Sequence, residues 1–460
     1  MKNDTANLQQ QFDTSLAFIL AGLPVQQGIA VAYSGGLDSS VLLQLALNFC
    51  AARNIGLFAF HVHHGISPNA DSWLNHCEAE AARCAAVFDA RKVQIDPAAK
   101  DGIEASARTE RYRALGAMCQ AHQAQLLLTA HHQDDQAETL LLQLLRGSGV
   151  AGLSGMDKYN QAPKLLGTDT VTIGRPLLEV TRQALLDYGA SKDISFVEDE
   201  SNADPRYARN ALRLQVMPIL SEISPGFAER LARSAQHAQS AHRMLLELAG
   251  QDYRLCACDG GLDMDKMQGF GDDRIDNLLR FWLSTTGVRM PTTARLAEMR
   301  KQLFAARADA RITVSHDGLG IHRYESKIYA SRDLPADAQP AMPRDFQWQG
   351  EALMRFPEFN GSLYFEPAEF GLEPEWLKRQ NLTLRLREGG ERIKLGPNRP
   401  TRDIKSHYQT LRIPFWQRQR LPFVCAGKEL LFAAGVGMDT AHCIDGSTEL
   451  IQLRWEADTA

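Results

Sequence analysis

Eight cysteines are spread over 460 residues, and no two of them form a C-x-x-C pair. That absence removes the commonest spacing of zinc, cluster and dithiol sites, and a reduced, cytoplasmic setting is the expectation. No apolar run approaches the ~18 residues that suggest a membrane span. The first residues, "MKNDTANLQQ", carry acids and amides where a secretory leader has a basic start and an apolar core. Charge of one sign is missing too: 50 Lys and Arg face 55 Asp and Glu, a formal net charge of −5. Nucleic acid, if bound, must then be met by local basic patches. Finally, no G-x-x-x-x-G-K-[ST] segment exists, so an ordinary P-loop is excluded.

What is present reads as a globular chain, 44% hydrophobic and 23% charged, long enough for two to four domains. Residues 1–220 read as α/β. Apolar runs at 29–33, 57–62 and 126–130, with a weaker one at 171–173, alternate with helical stretches, which implies a doubly wound parallel sheet. Residues 221–332 read as a mainly helical middle domain that ends in a hairpin around Asp317-Gly318. The Pro/Ala/Asp-rich stretch 333–343 reads as a linker, and 344–460 as a small basic α+β domain.

Chemistry concentrates in four segments. In "IAVAYSGGLDSS" (29–40) an apolar strand runs into Ser34-Gly35-Gly36, then Leu37, Asp38, Ser39 and Ser40. Backbone N–H groups at a glycine turn that opens a helix face an anion, and three hydroxyls add donors. Asp38 would repel a phosphate unless Mg²⁺ bridged the two, so the loop predicts a metal–nucleotide complex. "FHVHHGIS" (60–67) places His61, His63 and His64 at a strand end. They fit either a zinc site, for which no partner follows at ligand spacing, or a polar lining of the nucleotide cleft. "GIEASARTERYR" (102–113) gives one helix face Arg108, Arg111 and Tyr112, either solvated or poised to stabilise charge on a phosphate. "LLLTAHHQDDQAETLLLQLLRGSG" (126–149) is a strand, a polar turn and a helix starting near Gln133. There Asp135 and Glu138 share the first turn, either to cap the helix or to bind an ammonium group.

S-G-G-x-D-S-S resembles the PP-loop of the N-type ATP pyrophosphatases, which hold the β,γ-pyrophosphate of ATP there and break the α–β bond. Together with "HVHHG", "EASARTERY", "RPLL" (175–178) and "EDESNADPRYARNALR" (198–213), the four segments closely resemble the tRNA(Ile)-lysidine synthetase family over nearly the whole chain. The resemblance implies an ATP-dependent ligase that adenylates C2 of cytidine 34 in tRNA(Ile) with a CAU anticodon. Free L-lysine then displaces AMP to give lysidine. It implies ATP binding by Ser34, Gly35, Gly36, Leu37, Asp38, Ser39, Ser40, His61 and His131, with Mg²⁺ on Asp38. Arg108 and Arg111 would act on the adenylate or the target base, Asp135 and Glu138 would hold the lysine, and His132 is a weaker nucleotide contact. Arg209, Asn210 and Arg213 would meet tRNA near the anticodon. The family often pairs subunits, so a homodimer is a further expectation.

Between residues 378 and 420 twelve Lys and Arg face three acids, with Tyr408, Phe415 and Trp416 among them. Basic and aromatic side chains so mixed suit phosphate contact and base stacking. Arg387, Arg392, Lys394, Lys405 and Arg418 are the candidate tRNA contacts, and in the family this region recognises the acceptor stem. Two rival readings are a PP-loop tRNA cytidine thiolase, which typically brings C-x-x-C pairs, and a tRNA-binding protein with an inert nucleotide fold.

Overall fold

The structure, a computed structural model, describes residues 2–23, 28–65, 67–95, 103–200, 204–305, 312–332 and 341–458. Most of the expected linker, 333–340, and residues 201–203 of the "DESNAD" segment lie outside the described residues. The chain forms two compact units, Met1–Glu247 and Leu248–Ala460.

The first unit is built on a six-stranded sheet. Its strands are β1 (Gly28–Ala32), β2 (Gly56–His63), β3 (Val87–Lys92), β4 (Leu126–Leu128), β5 (Tyr159–Gln161) and β6 (Thr172–Gly174), in the order β3-β2-β1-β4-β6-β5. All pairings are parallel except β5 on β6, at one edge. Helices α1 (Lys2–Ala21), α2 (Leu37–Ala51) and α3 (Ala70–Arg83) pack with Ile29 and Val31 in one buried cluster. Helix α4 (Ile103–Ala121) places Tyr112, Leu115 and Met118 in a second cluster, with Ala30, Phe60 and Leu127. Neighbouring residues of β1 thus feed opposite cores, as strand alternation demands, and the sheet is doubly wound. The apolar runs read from the sequence are β1, β2, β4 and β6. Both edge strands, β3 and β5, escaped that reading because edges are half-wet and their sequences, "VFDARK" and "YNQ", carry no continuous apolar run.

Helix α5 (Gln133–Leu145) starts where the sequence places it. Beyond it, a short helix Ala208–Ala211 passes into a π-helical turn, Leu212–Val216.

In the second unit, helices Asp272–Thr285 and Thr293–Ala305 share a core with strands β8 (Gly261–Asp263), β9 (Ile312–His316), β10 (Leu319–Tyr324) and β11 (Lys327–Arg332), and β7 (Ala257–Cys258) pairs with β8 at the edge. The expected hairpin at Asp317-Gly318 is β9–β10, and it extends into a five-stranded antiparallel sheet. The remaining residues form short helices and three antiparallel sheets: one of five strands that includes Leu382–Arg385 and Glu429–Ala433, one of three strands dominated by Gly361–Gly371 against Ile444–Ala457, and the pair Arg392–Ile393 with Arg402–Asp403.

Candidate active site

In a parallel sheet, ligand-binding groups gather beyond the carboxyl ends of the strands. Here those ends carry the loop 33–36 after β1, the histidines of β2, residues 129–132 after β4, and Arg175 after β6.

The loop after β1 turns at Gly35, whose φ of +82° lies in the left-handed region. A Cβ there would stand 2.8 Å from Cys77 Sγ, so both conformation and space require glycine. Ser34 and Ser39 hydroxyls sit 3.1 Å apart, Ser39 Oγ donates to the Gly36 carbonyl at 2.9 Å, and Ser40 Oγ donates to the Gly35 carbonyl at 3.3 Å. Asp38 lies in the first turn of α2, and its Oδ1 is buried without a hydrogen-bond partner among the described residues. A carboxylate oxygen left bare in this way is the observation that suits a cation. His61 Nδ1 donates to the Tyr33 carbonyl at 3.0 Å, so this side chain braces the loop from behind. Burial, partly offset by that hydrogen bond, lowers its pKa. His63 instead meets Asp71 at 3.1 Å.

His132 caps α5, and its own N–H donates to Asp135 Oδ2 at 3.0 Å. Its ring is 1% exposed, with Nε2 3.6 Å from Asp38 and 3.4 Å from Asp135. Burial disfavours its charge, but Asp38, Asp135 and Asp134 outweigh that and raise its pKa. Its neighbour His131 behaves oppositely. Burial, with Arg175, Arg209 and Arg108 nearby, pushes its pKa down to about 3, while Thr129 Oγ1 lies 2.9 Å from its Nδ1.

Asp135 and Glu138 face one way, as their spacing implies, and both are buried. Their partners are two residues assigned from the sequence to another task. Arg209 Nε donates to Glu138 Oε2 at 2.7 Å and its Nη2 to Asp135 Oδ1 at 3.0 Å. Arg213 Nε donates to Glu138 Oε1 at 2.6 Å and its Nη2 to Asp135 Oδ1 at 3.1 Å. The two arginines, four residues apart across the short helix and the π-helical turn, close on the acids like a fork. Asn210 donates to the Asp204 carbonyl at 3.0 Å. Arg108 and Arg111 flank the buried Tyr112 ring at 4.9 and 5.6 Å, and neither makes an ion pair among the described residues.

The basic stretch of the second unit divides. Arg392 and Lys405 are exposed, while Arg387 and Lys394 are half-buried, Arg387 lying 3.7 Å from Glu391. Arg418 departs from expectation: it is 7% exposed and donates to the Ile413 carbonyl through Nε. The aromatic residues also depart. Tyr408 is fully buried and donates to the Ala434 carbonyl, and Trp416 stacks on His322 at 4.2 Å. Short amphipathic helices, Ile404–Thr410 and Phe415–Arg418, turn these side chains into the core.

Comparison with known proteins follows the same order along the chain. A PP-loop domain model matches residues 5–220, a TilS substrate binding domain model residues 262–329, and a TilS substrate C-terminal domain model residues 382–455. The tRNA(Ile)-lysidine synthase of Burkholderia pseudomallei is 41% identical, with 93% of this chain and 92% of that one aligned. The chain belongs to the tRNA(Ile)-lysidine synthase family. The family member from Ralstonia nicotianae is 39% identical over 94% of this chain and 93% of its own. A crystal structure of a TILS C-terminal domain aligns over 26% of this chain and 100% of its own length, at 21% identity and a TM-score of 0.22. As a tRNA(Ile)-lysidine synthase family member, the chain is an ATP-using enzyme with a tRNA substrate.

Two side chains at this site were not weighed at their full value from the sequence. His132 sits three residues before Asp135, the spacing of a capping box, which is the signal that places it against that acid. Arg175 stood only as part of "RPLL"; its signal is its position directly after a parallel strand.

Proposed function

We infer that this enzyme joins free L-lysine to C2 of cytidine 34 in a tRNA(Ile) with a CAU anticodon, converting ATP to AMP and pyrophosphate. The observation that carries the reading is the convergence, at one end of the sheet, of an anion-accepting loop with a bare buried carboxylate oxygen and a buried acid pair that already binds cations. The working division of the chain is a catalytic part at 1–220, a middle part at 221–332 and a tRNA-binding part at 344–460.

The N–H groups at Gly35, Gly36 and Leu37, with the hydroxyls of Ser34, Ser39 and Ser40, receive the β,γ-pyrophosphate. The buried Oδ1 of Asp38 suits Mg²⁺, which when bound neutralises charge on the departing pyrophosphate. His61 keeps the loop in shape through the Tyr33 carbonyl, and His131 stands beside the nucleotide as a neutral ring. The O2 atom of cytidine attacks the α-phosphorus, the α–β bond breaks, and Arg108 and Arg111 stabilise the charge that builds there. The lysine amine then attacks C2 and AMP leaves. Asp135 and Glu138 orient the lysine, whose ammonium takes up oxygens that now meet guanidiniums, and one of these two acids accepts the proton that the attacking amine gives up. Arg209, Asn210 and Arg213 then meet the anticodon arm, and Arg387, Arg392, Lys394 and Lys405 the acceptor stem. A cytoplasmic, homodimeric enzyme completes this reading.

The thiolase alternative needs a reactive thiol, and none is favoured. All eight cysteines are free, six are buried, and burial pushes Cys50 up to about 11 and Cys77 and Cys119 up to about 12. Purified enzyme, labelled lysine, ATP and tRNA(Ile) with a CAU anticodon should give label at position 34. No incorporation there, or modification only with a sulfur donor in place of lysine, overturns the reading.

A further inference from the structure

Arg175 has no assigned task, and its surroundings are unusual for a buried cation. It follows β6 directly and is 7% exposed. Its Nη1 donates to the Asp157 carbonyl at 2.8 Å and to Asn160 Oδ1 at 2.7 Å, both neutral acceptors. Its Nε is buried with no partner, and no carboxylate pairs with it among the described residues. Removing a guanidinium from water is costly unless an anion answers it. Burial lowers the pKa of Arg175, and the Arg108 charge adds to that while Asp157 works against it. Burial lowers the pKa of His131, at the end of the neighbouring strand β4, against the pull of Asp135 and with the help of Arg175. A buried donor without a partner, on a guanidinium that no carboxylate answers among the described residues, is arranged for a visiting anion.

Position tells which anion. The pyrophosphate loop follows β1, and β4 separates β1 from β6. Strands lie ~4.8 Å apart, so the end of β6 stands roughly 10 Å from the loop. The α-phosphate is bonded to the pyrophosphate and stays close to it. A phosphodiester of the RNA strand, entering with the target nucleoside, is free to lie on the β4–β6 side.

We propose that Arg175 forms a second phosphate site at the carboxyl end of β6, separate from the PP-loop, which holds an RNA phosphodiester beside the target nucleoside. The proposal rests on the enzyme acting on tRNA, but not on lysine as the second substrate. The competing role for Arg175 is a clip that ties residues 157–160 to the end of β6.

The substitutions Arg175→Gln and Arg175→Lys separate the two. Glutamine retains an amide donor for the clip and loses the charge, whereas lysine retains the charge. In the full chain, tRNA affinity is measured by filter binding between about 50 and 200 mM salt. The ATP KM in tRNA-dependent pyrophosphate release and the melting temperature are measured alongside. R175Q should weaken tRNA binding roughly ten-fold and flatten the salt slope by about one, with the slope retained in R175K and the melting temperature held in both. A wild-type slope in R175Q overturns the proposal, as does a loss that tracks the melting temperature. A raised ATP KM with tRNA binding intact overturns the RNA source and moves the anion to the nucleotide. Because binding is read on tRNA without lysine, a failure of wild-type lysine incorporation would refute the proposed function and leave this result standing.

Discussion

Asp38 is the residue on which the nucleotide chemistry turns. It sits in the first turn of α2 with one carboxylate oxygen bare and the other facing His132. Asp38→Ala should therefore lower tRNA-dependent pyrophosphate release by roughly 10²–10³-fold, as losing a preorganised electrostatic group does. A release assay with labelled ATP checks it, and wild-type release would remove Asp38 from the metal–phosphate site. His64 offers a prediction of a different kind. Burial, Arg111 and the neighbouring His61 and His63 push it down to about 4. The unfolded side chain takes up its proton near ~6.5, so between 6.5 and 4 the unfolded state binds more protons than the folded one. Stability from this residue is present above that window and lost as pH falls through it. Thermal unfolding of His64→Gln should show a melting temperature that gains on the wild type from pH 6.5 down to 4. A constant difference across that range would mean that His64 titrates normally.

Among the elements, the pairing of α5 with the Ala208–Ala211 helix and its π-helical turn is the feature that sequence spacing could not show. The i,i+3 acids of α5 and the i,i+4 arginines of the later segment are each readable as faces, but their meeting spans 71 to 78 residues of chain. Local periodicity says which face is charged and nothing about its long-range partner. The strands β1, β2, β4 and β6 were legible because buried parallel strands are continuous apolar runs, and α5 because a strand, a polar turn and an amphipathic stretch follow one another. The basic–aromatic stretch was misread at Tyr408, Trp416 and Arg418 because a short helix mixes core and surface positions within one turn. The pairing itself is testable. A double-mutant cycle on Glu138→Gln and Arg213→Gln, read by chemical unfolding, should give a coupling of ~0.5–3 kcal/mol, the range for residues in one charged network. A coupling near zero would mean that the fork is open in solution. In kinetics, Glu138→Gln should slow lysine incorporation more than pyrophosphate release, and equal losses would refute its assignment to lysine.

For the molecule as a whole, the net charge of −5 conceals a stretch of opposite sign, and only part of that stretch is on the surface. Salt dependence counts the cations that replace counterions on the nucleic acid, so it separates surface charge from buried charge. Arg392 and Lys405 are exposed; the Arg392 guanidinium donates to the Thr401 carbonyl, and the Lys405 ammonium has no hydrogen-bond partner among the described residues. Changing both to Gln should reduce the slope of log affinity against log salt by about two, weaken tRNA binding, and leave the melting temperature alone. Arg418 has the same charge but is buried against the Ile413 carbonyl, beside the stacked Trp416 and His322. Arg418→Gln should lower the melting temperature through the lost charge-assisted hydrogen bond, worth ~1.5–3 kcal/mol, while the salt slope stays at the wild-type value. If Arg418→Gln flattened the slope instead, its guanidinium would have to reach the RNA, and the basic stretch would act as one continuous surface.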